Sequence, residues 1–173
     1  MAVQPIRLFG DPVLRQRAIE VDSFDKELQQ LVADLTDTML AAPGAGLAAP
    51  QIGVGLRVFT MDANRDPEAP RAPLVLVNPE VTWASDTPNT YEEGCLSIPD
   101  QYGEVTRPAQ IRMRWLGLDG KTHEREFDEL WATCAQHELD HLDGVLFIDH
   151  LSAIKRQMIT RKMVKLKRDL ARA

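Results

Sequence analysis

The sequence lacks the features that mark secreted and membrane-spanning proteins. Only two of its 173 residues are cysteines, Cys95 and Cys134, too few for a disulfide framework. No apolar run approaches the ~20 residues of a membrane span. Residues 1–10 do not show the charged segment and long apolar segment of a signal peptide. The sequence therefore predicts a cytoplasmic protein that does not enter a membrane, with both cysteines as thiols.

Internal repeats, low-complexity tracts and domain boundaries are also missing. The chain is 44% hydrophobic and 27% charged, as expected for a globular domain with a sizeable core. We therefore expect one domain over residues 1–173. The formal net charge of −6 favours solubility but identifies no partner.

Helical periodicity appears near the two ends of the chain. Apolar residues recur every three or four positions, and the predicted helices cover about 24–42, 128–143 and 153–172. Asp22 or Ser23 would cap the first helix, Gly144 would end the second, and Ser152 would cap the third.

The middle of the chain has the pattern of β-strands. The best candidates are residues 56–61, 74–83, 111–116 and 121–127. Asp119-Gly120 predicts a two-residue hairpin turn between the last two strands. Strands between terminal helices predict an α+β fold, with mostly antiparallel sheets packed around the helix at 128–143.

Residues 137–141 read His-Glu-Leu-Asp-His and lie in that central helix. Positions i and i+4 share one helix face, so the imidazoles of His137 and His141 can converge on one cation. Glu138 can reach a water on that cation and act as general base. The alternative is a pair of surface histidines, but the apolar flanks predict a buried helix, where unpaired histidines are costly. The pattern therefore predicts a metal-dependent hydrolase.

A hydrolytic metal site needs a third protein ligand, and the candidates are Cys95, Cys134 and scattered carboxylates. Cys134 precedes His137 by three residues and lies about 4.5 Å further along the helix axis, so we interpret it as a wall residue. Cys95 lies in a distant segment and can approach from another direction. Its thiolate and two imidazoles would bind Zn²⁺ or Fe²⁺. The alternative for Cys95 is an inert buried thiol.

Residues 44–51, Gly-Ala-Gly-Leu-Ala-Ala-Pro-Gln, form a third unusual segment. No Gly-Lys-Ser/Thr follows the glycines, which argues against a phosphate-binding loop. The small residues would allow a substrate backbone or a metal site to come close. The amide of Gln51 is suited to stabilise a developing oxyanion, or it caps a turn.

Taken in order, these segments resemble the motifs of the peptide deformylase family, G-x-G-L-A-A-x-Q, E-G-C-x-S and H-E-x-D-H. Residues 44–51, 93–97 and 137–141 match every fixed position. The resemblance covers the whole chain. It implies a metal-dependent hydrolase that removes the formyl group from N-formylmethionine at the start of nascent polypeptides and releases formate.

The resemblance also implies residue roles. It assigns one Fe²⁺ per chain, which Zn²⁺, Ni²⁺ or Co²⁺ can replace, to the ligands Cys95, His137 and His141. Glu138 would be the general base and later the acid. Gln51 and the backbone N–H of Leu96 would stabilise the oxyanion, and the backbone of Gly46 would pair with the substrate peptide.

The methionine side chain needs an apolar slot. Leu130, Thr133 and Cys134 precede His137 by seven, four and three positions, which places them on the metal-facing stripe of the helix. We expect them to line the slot; plain core packing is the alternative for each.

Basic residues are concentrated at the C-terminal end, where residues 155–173 contain eight Lys and Arg and one acid, Asp169. Such a helix docks on ribosomal RNA in some family members, and clustered cations bind nucleic acid by releasing counterions. The alternative is a solvated face over an apolar stripe of Ile159, Met163, Leu166 and Leu170. We expect a monomer that acts on formylmethionyl nascent peptides.

Two other functions compete with this interpretation. A zinc endopeptidase also uses H-E-x-x-H, but that function does not explain Cys95 or the glycine-rich segment. A metal-stabilised binding protein without catalysis needs neither Glu138 nor Gln51.

Overall fold

The computed structural model describes residues 2–173; Met1, with which the expected domain begins, lies outside them. The α-helices are α1 (Lys26–Ala41), α2 (Glu129–Leu142) and α3 (Ala153–Ala171). The strands are β1 (Gly46–Ala48), β2 (Val58–Met61), β3 (Leu74–Ala84), β4 (Pro88–Cys95), β5 (Ile98–Pro108), β6 (Gln110–Leu116) and β7 (Thr122–Asp128). Short 3-10 helices cover Pro12–Arg15, Ala49–Ile52 and Phe147–His150.

The strands form two antiparallel sheets around α2. One sheet has five strands in the order β1-β2-β3-β6-β7, and β4 pairs with β5 in the other. Helix α2 contacts strands of both sheets. The predicted α+β fold, with antiparallel sheets around a central helix and further helices near both ends, is therefore confirmed.

Helix α1 begins later than predicted. Asp25, rather than Asp22 or Ser23, is its N-cap, and the Asp25 carboxylate accepts a hydrogen bond from the backbone N–H of Leu28. Several capping residues are adjacent in the sequence, so only the backbone path decides which of them reaches the free N–H groups. The helix buries one apolar face against β1 and β2.

The turn between β6 and β7 also differs from the prediction. The N–H of Gly117 donates to the carbonyl of Lys121, and Gly120 has a φ of 76°. Three residues lie between this bonded pair, so the connection is a three-residue loop with a left-handed glycine, not a two-residue turn. The Asp119 side chain accepts from the N–H of Lys121 within the loop.

The β4–β5 hairpin was absent from the predicted strands. Its facing residues run from Pro88 opposite Pro108 to Cys95 opposite Ile98. Several inward positions carry polar side chains that face α2, so the alternation of apolar and polar residues on which strand prediction depends is lost.

The C-terminal part packs as a third apolar cluster on this hairpin. Ile159 and Met163 of α3 are buried against Phe147 and Ile148 of the last 3-10 helix. The Ser152 hydroxyl accepts from the N–H of Lys155, which confirms it as the cap of α3. Within residues 2–173, no helix combines the length and apolar character that crossing a membrane requires.

Candidate metal centre and active-site cleft

The three motif segments meet in one cleft of about 510 Å³. Its walls come from residues 43–46 at the start of β1, residues 91–96 and 98–102 of the β4–β5 hairpin, and one face of α2, with Gln51 and Arg65. Nine of the ten residues for which the sequence predicts a role line it: Gly46, Gln51, Cys95, Leu96, Leu130, Thr133, Cys134, His137 and Glu138. The tenth, His141, is only 1% exposed and lies next to Cys95.

A possible metal-binding group lies at this cleft. The Sγ atom of Cys95 and ring nitrogens of His137 and His141 all lie within 4.8 Å of one another. Cys95 Sγ is 3.4 Å from His141 Nε2. Two ligands of a tetrahedral ion, with ~2.3 Å bonds to sulfur and ~2.0–2.1 Å bonds to nitrogen, are about 3.6 Å apart. The three side chains therefore fit a thiolate- and imidazole-bound divalent metal; Cys134 is outside the group.

Local backbone geometry explains this convergence. His137 and His141 lie one helical turn apart on α2, with ring centroids 5.0 Å apart. The β4–β5 pairing shifts register between Gly94 and Cys95, and such bulges redirect a side chain. A Cβ atom on Gly94 would lie 2.7 Å from the Tyr102 ring, so this close approach requires glycine.

A charged network behind the cleft orients His137. Its Nδ1 lies 2.8 Å from Glu93 Oε1, and Arg107 donates two hydrogen bonds to Glu93, at 2.8 and 2.9 Å. Arg107 Nη1 also donates to Asp140 Oδ2, which bonds His150 Nε2. Burial opposes ionisation, but the bonds from Arg107 and His137 lower the pKa of Glu93 to about 2. This carboxylate leaves Nε2 of His137 available to a metal.

The two histidines differ in their electrostatic environments. Burial and the nearby His137 hold the pKa of His141 well below its ordinary value. Burial also opposes protonation of His137, but hydrogen bonds to Cys95 and Glu93 raise its pKa well above the usual range. The lowered pKa of His141 favours the neutral imidazole, which is the form that binds a metal.

Glu138 is buried directly beside this group. Burial is the main cause that raises the pKa of Glu138 to about 7, which suits a group that must accept and return a proton near neutral pH. Its Oε2 atom has no hydrogen-bond partner among residues 2–173. A Cβ atom on Gly46 would lie 2.8 Å from Glu138 and 3.0 Å from Cys134 Sγ, so a side chain at position 46 would collide with this wall.

The Gln51 amide reaches the metal-binding group from the other side. Its Oε1 accepts from the backbone N–H of Ala48 at 2.9 Å. Its Nε2 donates to Ser97 Oγ at 3.1 Å and lies 3.5 Å from Cys95 Sγ. The side chain thus places one N–H of its amide beside Cys95 at the cleft.

Leu130, Thr133 and Cys134 form a wall of the cleft on α2. Burial raises the pKa of the Cys134 thiol well above its ordinary value, which keeps it neutral and unreactive. Tyr91 of β4 also lines the cleft. The sequence offered no signal for Tyr91, because the strand that carries it was not predicted.

The chain is similar to known proteins over nearly its full length. The sequence model of the family described as polypeptide deformylase matches residues 3–157. The peptide deformylase of Brucella suis biovar 1 is 50% identical over 166 residues, which are 96% of this chain and 94% of that protein. That of Agrobacterium fabrum is 50% identical over 165 residues, 95% of this chain and 96% of that protein.

Solved structures agree with this assignment. The crystal structure of a peptide deformylase from Legionella pneumophila has a TM-score of 0.90 at 43% identity, covering 99% of each chain. That of the Ehrlichia chaffeensis peptide deformylase in complex with actinonin has a TM-score of 0.92 at 33% identity, covering 97% of this chain and 99% of that one. The chain therefore belongs to the polypeptide deformylase family, and it is a metal-dependent hydrolase that removes the formyl group from formylmethionine at the start of nascent polypeptides.

Proposed function

We propose that Cys95, His137 and His141 hold the metal ion of this deformylase and that Glu138 is its general base and acid. The observation that carries the proposal is the approach of the three ligand atoms to within 4.8 Å of one another, beside a buried carboxylate that has an oxygen without a partner in the described chain. A purely structural metal site would not need that carboxylate.

The reaction follows from this arrangement. Cys95, His137 and His141 would hold a divalent ion, which would supply Lewis-acid chemistry for activating the formyl group and a water molecule near neutral pH. Glu138 takes a proton from the attacking water and returns it to the amine nitrogen as the bond to the formyl carbon breaks. The Gln51 amide and the backbone N–H of Leu96 donate to the formyl oxygen while negative charge develops there.

The substrate peptide lies along Gly46, with its methionine side chain against α2. Because β1 is an edge strand of its sheet, backbone groups of Gly46 are available to pair with an extended peptide. Leu130, Thr133 and Cys134 form the slot for the methionine side chain.

An assay of formate release from a formyl-Met peptide tests the role of Glu138. Glu138→Gln keeps the size of the side chain but cannot transfer the proton, so we expect kcat to fall at least ~10²-fold with metal content unchanged. Glu104→Gln, at an exposed position of β5, is the matched control and should retain full activity. Full activity in Glu138→Gln would refute the assignment.

We propose Fe²⁺ as the physiological metal, one ion per chain, which Zn²⁺, Ni²⁺ or Co²⁺ can replace. One thiolate and two imidazoles suit iron and zinc alike, so the proposal rests on the family resemblance. Metal analysis of protein purified without oxygen should find about one iron per chain, and a Cys95→Ala variant should lose it. Stoichiometric zinc in the oxygen-free preparation would contradict the choice of iron.

We propose that α3 docks the enzyme on ribosomal RNA. The seven Lys and Arg of α3 and its C-cap residue Arg172 are exposed. Leu170 is 54% exposed, so the end of the apolar stripe is not covered within residues 2–173. Deletion of the helix is a poor test, because it removes Ile159 and Met163 from the core. The triple variant Arg161→Glu, Lys165→Glu and Arg168→Glu should weaken ribosome binding and spare activity on small peptides, whereas Lys121→Glu on the β6–β7 loop should do neither.

We further propose a monomeric, cytoplasmic enzyme whose catalytic domain spans residues 1–173. One chain supplies all three candidate ligands and every wall of the cleft, so a second copy is not needed. Nascent formylated chains, its substrates, emerge from cytoplasmic ribosomes in bacteria. Light scattering after size exclusion should give the mass of one chain, 19.4 kDa. Limited proteolysis should produce no stable half-length fragment.

A further inference from the structure

Ser97 is the last residue of the Glu93–Ser97 segment and lies beside the metal-binding group without being one of its ligands. The residue is completely buried, two positions after Cys95 in the turn between β4 and β5. Its hydroxyl oxygen accepts a hydrogen bond from Gln51 Nε2 at 3.1 Å. Ser97 therefore contacts the side chain proposed to stabilise the formyl oxygen.

Two contacts together determine the orientation of the Gln51 amide. The backbone N–H of Ala48 donates to Oε1 at 2.9 Å, which specifies which side of the amide is oxygen. That bond leaves rotation about the last side-chain torsion, whose energy profile is broad. The contact from Nε2 to Ser97 Oγ restricts this rotation, since the other neighbour of Nε2, Cys95 Sγ, is a weaker acceptor at 3.5 Å.

An amide nitrogen carries two hydrogens: Ser97 Oγ accepts one at 3.1 Å, and Cys95 Sγ is the weaker acceptor of the other at 3.5 Å. We propose that Ser97 is a positioning residue, whose hydroxyl oxygen holds one N–H of Gln51 so that the second N–H stays on the Cys95 side of the amide, where it can turn from the weak thiol acceptor to the formyl oxygen. This inference rests on the proposed role of Gln51. Ser97 itself does not touch the reacting atoms.

Ser97→Ala tests the proposal by removing the acceptor without adding volume. Loss of an oxyanion donor typically costs ~10²–10³ in kcat, and a donor that is present but misaligned should cost less, about tenfold. We expect this loss in kcat with KM within about twofold of the native value and one metal ion still bound per chain. An unchanged kcat would overturn the proposal. If Ser97→Ala does not fold, Ser97→Gly removes the same hydroxyl at this turn position.

Thr60→Val is the matched control. Thr60 of β2 is also completely buried, and its hydroxyl donates to the carbonyl of Leu74 at 3.0 Å. The substitution removes a buried hydroxyl and its hydrogen bond but does not affect the cleft wall. We expect native kcat from this variant. A tenfold loss in Thr60→Val as well would show that kcat reports general destabilisation, and the proposal would fail.

A double-mutant cycle determines whether Ser97 acts through Gln51. Gln51→Ala alone should lower kcat ~10²–10³-fold. Adding Ser97→Ala to Gln51→Ala should lower kcat by less than about a further twofold, because no amide remains to be oriented. A further tenfold loss would overturn the positioning role and leave the role of Gln51 intact. Native activity in Gln51→Ala would overturn both.

A spectroscopic signature provides a readout that does not depend on turnover. In the ¹⁵N-labelled, zinc-loaded enzyme, the two side-chain amide protons of Gln51 should give distinct, slowly exchanging resonances. Ser97→Ala should shift at least one of them and speed its exchange with solvent, whereas Thr60→Val should leave both in place. Unchanged Gln51 resonances in Ser97→Ala would refute the orientation argument.

Discussion

Replacing Arg107 by methionine removes the central cation of the network behind His137. Arg107 and Glu93 are 7% and 5% exposed, and Arg107 donates two hydrogen bonds to Glu93 and one to Asp140. The substitution leaves Glu93 as a buried carboxylate with His137 as its remaining partner. Breaking one side of a buried ion pair costs ~3–5 kcal/mol.

This loss of stability can be measured as a change in melting temperature. For a chain of this size, 1 kcal/mol corresponds to ~2–4 °C, so Arg107→Met should lower the Tm of the metal-free protein by about 6–20 °C. Metal affinity should also fall ~10–100-fold, because Glu93 no longer holds the His137 ring as firmly. Thermal unfolding in chelator and a titration against a competing chelator measure the two effects separately.

Arg114→Met is the control for this experiment. Arg114 pairs with Glu80 on the exposed face of the sheet, and exposed pairs contribute only ~0–1 kcal/mol, so its Tm should fall by less than about 4 °C. Adding Glu93→Gln to Arg107→Met removes the unpaired charge and should recover part of the lost Tm. The reasoning would be refuted if Arg107→Met lowered the Tm no more than Arg114→Met does.

Three further predictions concern the cleft and the fold. Gly46→Ala places a Cβ atom 2.8 Å from the Glu138 side chain and should lower kcat/KM ~10²-fold. Gly55→Ala is the control and should have no effect, because a Cβ atom there would have no neighbouring atom within 4 Å. Equal kcat/KM in the two variants would refute the steric argument. Thr133 lines the cleft, and its hydroxyl has no hydrogen bond within residues 2–173. Thr133→Val should therefore shift the preference for formyl-Met over formyl-norleucine peptides by ~3–10-fold towards norleucine. An unchanged ratio of kcat/KM for the two peptides would exclude Thr133 from the slot. Burial opposes ionisation of Asp149, but hydrogen bonds from Arg15 and from the backbone N–H of Leu146 lower its pKa. The contribution of Asp149 to the free energy of unfolding should therefore be constant above about pH 5 and lost as the pH falls through the lowered pKa. Urea unfolding of Asp149→Asn and of the native protein, compared from pH 7 to 3, should show that their difference in unfolding free energy shrinks only at the acid end.

Local rules predicted the features that depend on a single segment. The spacing of His137 and His141 follows from the period of a helix, whatever the rest of the chain does. Likewise, Ser152 can cap α3 because its hydroxyl needs only the N–H three residues further on. The first cap was misplaced at Asp22 or Ser23 instead of Asp25 because all of these residues are capable of capping.

Features built from distant segments were harder to predict. Arg107 pairs with Glu93 across the β4–β5 hairpin, and His150 bonds Asp140 of α2. Strand β4, which carries one of the candidate metal ligands, was not predicted because its inward face is polar. Contacts of this kind depend on which segments are buried together, and hydrophobic periodicity does not encode that when the facing residues are polar.

By itself, then, the sequence determined the helix that presents His137, Glu138 and His141, the α+β class and, through its motifs, the family. Only the tertiary structure decided how Cys95 meets that helix, because a bulge in one hairpin redirects its side chain. The tertiary structure also decided the environment of Glu138. Its pKa of about 7 results mainly from burial by the surrounding elements, and no residue of the motif alone could supply that.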